Sequence, residues 1–188
     1  MVGENKCYQP RYPIRNYQST NCHPKPHKTR ETILECGCSP EAAFFEIDDG
    51  RVERGQEFVL DRVRIDTTHL KKPVVKLDFS SLIIFEAEDE EGGEHEVEVD
   101  LLFKLIRVSN GEYEVIRSWN YLYEIDVENS IDELEVEMKQ PFAVTFCDKP
   151  CATVCEYIMK VEGIDFEGDF DALRIVSPTL TVIAQGQC

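Results

Sequence analysis

The chain has little that would tie it to a membrane, to nucleic acid or to a reacting substrate. No apolar run in the 188 residues approaches the roughly eighteen of a membrane span. The first residues, MVGENKCYQPRYPIRNYQ, lack the apolar core of a secretory signal. Neither membrane insertion nor export by the general pathway is expected. Positive charge is scarce, with 20 Lys+Arg against 37 Asp+Glu and a net charge of −17, so the body should repel nucleic acid and anionic lipid.

Groups that do chemistry are equally thin. Nucleophilic catalysis by cysteine wants a histidine base, and only four histidines exist: His23 and His27 near the N-terminus, His69 after a Thr-Thr pair, and His95 beside an acidic turn. All read as surface histidines. The single tryptophan, Trp119, alternates with Tyr121 and Tyr123, as in a core and surface stripe rather than a sugar platform. Carboxylates are so abundant that each carries little information. Asp165, Glu167, Asp169 and Asp171 alternate with Phe166 and Phe170 like the solvated face of a strand, and neither they nor the DEEGG loop at 89–93 match the EF-hand ligand pattern. The expectation is no enzyme, no cofactor and no metal site.

What is present is an asymmetry of charge. Residues 1–30 hold Lys6, Arg11, Arg15, Lys25, Lys28 and Arg30 against Glu4, a local +5, which leaves −22 of the total −17 on residues 31–188. A short basic segment is drawn to an acidic surface, and the nearest one belongs to another copy of the chain. Pro10, Pro13, Pro24 and Pro26 break any helix here, so residues 1–35 read as an extended connector arm and residues 36–188 as one folded domain.

Within that domain apolar alternation dominates. AAFFEI (42–47) precedes the turn Asp48-Asp49-Gly50, and EFVLDRVRID (57–66) alternates with a one-residue slip that suggests a bulge. VVKLDFSSLIIFEAE (74–88) and HEVEVDLLFKLIRV (95–108) follow, then Asn110-Gly111, a strong hairpin signal, and YEVIRSWNYLYEIDV (113–127). ELEVEM (133–138), FAVTF (142–146) and TVCEYIMKVEGI (153–164) read as separate strands; LRIVSPTLTVIA (173–184) reads as two strands or as one broken at Pro178. Eight to ten strands without a convincing helix predict an all-β, antiparallel β-sandwich, a jelly roll of eight or so strands.

Eight cysteines remain to be placed. Zinc needs about four ligands converging on one point. Cys36-Gly37-Cys38 could supply one pair and Cys147 with Cys151 another, but C-x-C is a tight knuckle and C-x3-C-x3-C matches no specific metal spacing. Covalent cross-linking suits the positions better. Cys7 and Cys22 lie in the arm and Cys188 is the final residue, which makes them candidates for bonds between subunits; Cys36, Cys38, Cys147, Cys151 and Cys155 are candidate anchors on the body. Pro150 prevents a helix that would align the last three. Thirty-five extended residues reach at most about 115 Å, whereas a body of this size is about 40 Å across. Eight thiols permit 105 pairings, so no connectivity is assigned.

Three blocks, CGCSPEAAFF, LDRVRIDTTHLKKPVVKLDFSSLIIF and FCDKPCATVCEYIMKVEG, resemble a family of small uncharacterised proteins from clostridia and related spore-forming bacteria. The resemblance covers about residues 36–188. It departs between Thr68 and Pro73, where His69 and Lys71 stand at positions that are often cysteine in relatives, so pairings in that loop are not carried over. In layout alone the chain is similar to the endospore appendage subunits of bacilli, jelly-roll domains with a cysteine-bearing N-terminal connector and no signal peptide. That likeness implies a fibre subunit released by lysis of the mother cell.

The expectation is a structural protein that assembles with itself into a disulfide-cross-linked filament, extracellular or on the spore surface, without nucleic acid or membrane insertion. A zinc-stabilised intracellular protein and a monomeric lectin-like module are the rival readings.

Overall fold

A computed structural model describes residues 31–89, 94–128 and 134–186. Eleven strands follow in order: β1 Thr32–Cys36, β2 Ala43–Phe44, β3 Ile47–Asp48, β4 Arg51–Val52, β5 Glu57–Asp66, β6 Val74–Asp89, β7 Glu94–Ser109, β8 Glu112–Glu128, β9 Leu134–Asp148, β10 Val154–Glu167 and β11 Asp169–Gln185. There is no helix among the described residues.

The strands form two antiparallel sheets, β1-β11-β6-β9 and β5-β10-β7-β8. β2 also pairs with β11, and β3 and β4 make a small hairpin of their own. The pairing is nested. β7 pairs with β8, β6 with β9, β5 with β10 and β1 with β11, alternating between the sheets. A long hairpin wound up in this way is the jelly roll, in which two Greek keys share one core.

Val97, Val99, Leu101, Phe103 and Leu105 all point inward from β7, as period-two alternation requires. Facing residues come from the other sheet: Phe103 stacks on Phe142 of β9 with ring centroids 3.9 Å apart, and Phe85 of β6 meets Tyr123 of β8 edge-on at 5.1 Å. Tyr157, Phe85 and Phe103 are the largest side chains fully buried between the layers.

Turns behave as their residues dictate. Asn110 and Gly111 both adopt positive φ, 53° and 81°, the primed geometry that matches strand twist, and Asp49-Gly50 repeat it at 52° and 77°. The slip in β5 is a bulge: Asp61 faces Met159 and Val59 faces Lys160, so Leu60 is the extra residue.

Two expectations are corrected and one open alternative is decided. ELEVEM and FAVTF are one strand, β9, which runs straight through Pro141. It can do so because β9 is an edge strand, where proline's missing N–H need not break a ladder. Of the two readings of the segment around Pro178, the single interrupted strand is the one found, β11. It is bulged between Val176 and Thr179, with Ser177 at φ 52°. The arm expected to extend to residue 35 gives way to structure by Thr32, since Thr32–Cys36 pair with Gln185–Thr181 as β1.

Candidate functional site: the cysteine-bearing rim

Cys36 closes β1 and faces Thr181. The chain then crosses to the other sheet. The Gly37 amide donates to Leu180 O (2.7 Å), Cys38 to Arg62 O (3.0 Å) and Glu41 to Leu60 O (2.8 Å), so residues 37–41 lie along the outer side of β5. The crossing is organised by Asp61, only 1% exposed at the β5 bulge. Its carboxylate accepts from the amides of Arg62 (2.8 Å), Leu180 (2.9 Å) and Ser39 (3.4 Å). Gly37 is required because a Cβ there would sit 1.8 Å from Asp61 Oδ2. The result is a stiff C-G-C segment with Cys36 and Cys38 exposed as free thiols; Cys38 Sγ lies 3.4 Å from Arg62 O.

FCDKPCATVCEY carries its three cysteines in three directions. Cys147 stands exposed and free on β9, opposite Lys76. Cys151 lies in the loop between β9 and β10 and is disulfide-bonded. Cys155 is a correction to the expectation of a rim anchor, being a core residue of β10, 2% exposed, with Sγ 3.8 Å from Ala152 O. Alternation puts it on the inward face with Tyr157 and Met159. Burial pushes its thiol pKa up, against the pull of Arg107, which disfavours the reactive thiolate. Cys7, Cys22 and Cys188 lie outside the described residues.

The loop bearing Cys151 is rooted in a polar network. Arg107 Nη1 donates to both oxygens of Asp148 (2.9 and 2.8 Å), its Nη2 donates to Glu114 (2.6 Å), and Tyr157 OH donates to Asp148 Oδ2 (2.9 Å). This ties β9 in one sheet to β7, β8 and β10 in the other. Burial works against the charged guanidinium of Arg107, but hydrogen bonds and charge from Asp148 and Glu114 overcome it and raise its pKa. Burial first, then the Asp148 charge, drives the Tyr157 phenol well above its ordinary range. A neutral tyrosine donor and a permanent cation on one carboxylate make a structural staple.

Geometry separates the thiols that a zinc knuckle would need together. Cys36, Thr181, Asp78 and Thr145 form one row across the sheet, and Cys147 is two residues beyond Thr145. Three strand spacings put Cys36 about 14 Å or more from Cys147. That is too far for thiolates sharing one ion, and too far for a disulfide, whose Cα atoms stand about 4–7 Å apart. Cys36 and Cys147 therefore cannot pair with each other within one body.

Other candidate groups are structural. Trp119 packs edge-on against Phe146 at 6.5 Å, and Tyr121 OH donates to Gln140 Oε1 (2.9 Å), its pKa pushed up to about 12 by burial and by Tyr123. His69 sits in the turn after β5 beside Asp66, whose carboxylate accepts from the amide and hydroxyl of Thr68. Phe166 and Phe170 pack together at 6.1 Å, while Asp165 pairs with Arg54. Glu98 and Asp100 are both raised above the usual carboxylate range, by burial first and then by Asp165 and, for Glu98, by Glu124, Glu167 and Glu96 as well. Asp61 and the Arg107–Asp148–Tyr157 network escaped the sequence reading. Asp61 left one trace, an acid at the slip of an apolar strand.

Fold and rim together define an all-β jelly-roll protein whose body displays exposed thiols. The chain belongs to the family described as Domain of unknown function (DUF4489), whose model matches residues 30–185. No curated protein matches it. Among solved structures it is similar to a chain in the structure of the infectious bursal disease virus Gx strain, at 7% identity and a TM-score of 0.34, covering 85% of this chain and 37% of that one. It is also similar to a chain of the Gt strain of the same virus, at 7% identity and a TM-score of 0.19, covering 84% and 42%. Likeness at these scores carries no argument about function.

Proposed function

We propose that this chain is a structural subunit that polymerises with itself, head to tail, into a disulfide-cross-linked filament, extracellular or on the spore surface, through its N-terminal segment. The observation that carries this reading is the set of exposed free thiols, Cys36, Cys38 and Cys147, on the rigid frame of the sandwich. Cys36 and Cys147 stand at opposite edges of their sheet, beyond bonding distance of each other. Neither can serve as the other's partner within one body, and Cys7 and Cys22 lie in a basic segment suited to an acidic neighbour.

A contact joining two different patches, with a rotation that does not close, generates an open helical fibre. Each bond that closes a long loop contributes on the order of 3–4 kcal/mol against unfolding and, in a polymer, blocks dissociation. The test is electron microscopy of the purified protein with and without reductant, beside a variant lacking residues 1–30. The expected result is filaments that survive detergent and heat and are abolished by the deletion. Filaments that assemble normally without those residues overturn the docking mechanism.

A further inference from the structure

An edge strand offers unpaired N–H and C=O groups to any strand that approaches, and folded proteins usually blunt it. Among the described residues, three of the four edges are blunted. β1 is five residues long. β5 is covered by residues 37–41, whose amides bond its carbonyls. β9 carries Pro141 in mid-strand. β8 is not blunted. It runs for 17 residues without proline, pairs with β7 alone, and leaves Tyr113, Val115 and Leu122 exposed by 74%, 57% and 57%. Such a strand is a template for strand addition.

The chain itself supplies a matching segment. Residues 14–23, IRNYQSTNCH, are the longest proline-free run before β1 and contain Arg15 and no acid, whereas β8 carries five carboxylates against Arg117. Ten residues extend about 33 Å and fit along β8.

Placement decides whose β8 is met. The N-terminal segment enters the fold at β1, on the side of the sandwich formed by the β1 and β5 edges, while β8 and β9 form the opposite side. Copies stacked side by side put the β8 side of one against the β1 side of the next. Residues 24–31 then span at most about 26 Å to reach it.

We propose that residues 14–23 of one copy add as a strand to the free edge of β8 in the next copy. This rests on the filament reading and specifies its contact. The two patches differ, so the contact is heterologous and continues from copy to copy into an open fibre when its rotation does not close.

The experiment is hydrogen–deuterium exchange on the full-length protein and on Tyr17→Pro, which breaks strand pairing in the segment and leaves the body untouched. Electron microscopy is run on the same samples. Expected are filaments whose β8 amides exchange at least tenfold more slowly than in Tyr17→Pro, with β7 protection equal in both. Filaments whose β8 exchanges equally fast in the two proteins overturn this contact and leave the filament reading standing. β8 protection that persists in Tyr17→Pro assigns the edge to another occupant, such as a second β8, and also overturns it. Photo-cross-linking from position 17 in mixed isotope-labelled and unlabelled copies must give links between copies; links only within a copy overturn it. Absence of any filament and of any β8 protection overturns both.

Discussion

Replacing Asp61 by alanine should be among the most damaging single changes to this body, although Asp61 touches no thiol. Its carboxylate holds the amide of Leu180, 119 residues away, at 2.9 Å in a fully buried contact. It also holds Arg62 and Ser39 at 2.8 and 3.4 Å in part-buried ones. Hydrogen bonds to a charged acceptor contribute about 1.5–3 kcal/mol each, and a buried donor left without partner forfeits its full solvation. Water can replace the acceptor at Arg62 and Ser39 but not at Leu180, so Asp61→Ala should lose about 2–4 kcal/mol.

Gly37→Ala probes the same contact from the other side. Its new Cβ collides with the carboxylate, an overpacking worth about 1–3 kcal/mol. Because Asp61→Ala removes the atoms it strikes, the double variant should be more stable than the sum of the two singles by about 1 kcal/mol or more. The assay is equilibrium urea unfolding with reductant present, followed by the fluorescence of half-buried Trp119. An Asp61→Ala variant within about 0.5 kcal/mol of the parent, or a strictly additive cycle, refutes the reasoning.

Two further outcomes follow from burial and charge. Thiol titration of the native, reduced protein should label Cys36, Cys38 and Cys147 readily and Cys155 only on unfolding, and Cys155 reacting as fast as Cys147 refutes its placement. Asp100→Asn should stabilise the fold at pH 7, since above its raised folded pKa both states are ionised and the folded one bears the burial and the Asp165 repulsion. Melting temperatures at stepped pH should show that gain fading as pH falls through the raised folded value and past the ordinary 3.8, below which both states are protonated, and a gain that grows on acidification sinks the argument.

Much of the body was legible because one residue's neighbours along the chain decide which face it takes. Alternation in EFVLDRVRID gave β5 from Glu57 to Asp66, and its slip gave the bulge. Asn110-Gly111 gave the hairpin between β7 and β8. Prolines were harder to read, since ELEVEM and FAVTF looked like separate strands on either side of Pro141 and the Pro178 segment was left as two strands or one broken strand. Each is tolerated for a reason outside its own segment: an open edge for the first and a bulge for the second.

The sequence by itself determined the all-β class, the extents of β5 to β8, the opposition in charge between residues 1–30 and the rest, and the supply of thiols, since all of these depend on local pattern and composition. Only the tertiary structure decided the nested strand order, the burial of Cys155, the distance between Cys36 and Cys147, and the place of β8 at an open edge. Those are relations between residues far apart in the chain, such as Asp61 with Leu180 or Arg107 with Asp148. No local period encodes them; they exist once the two sheets close over a shared core.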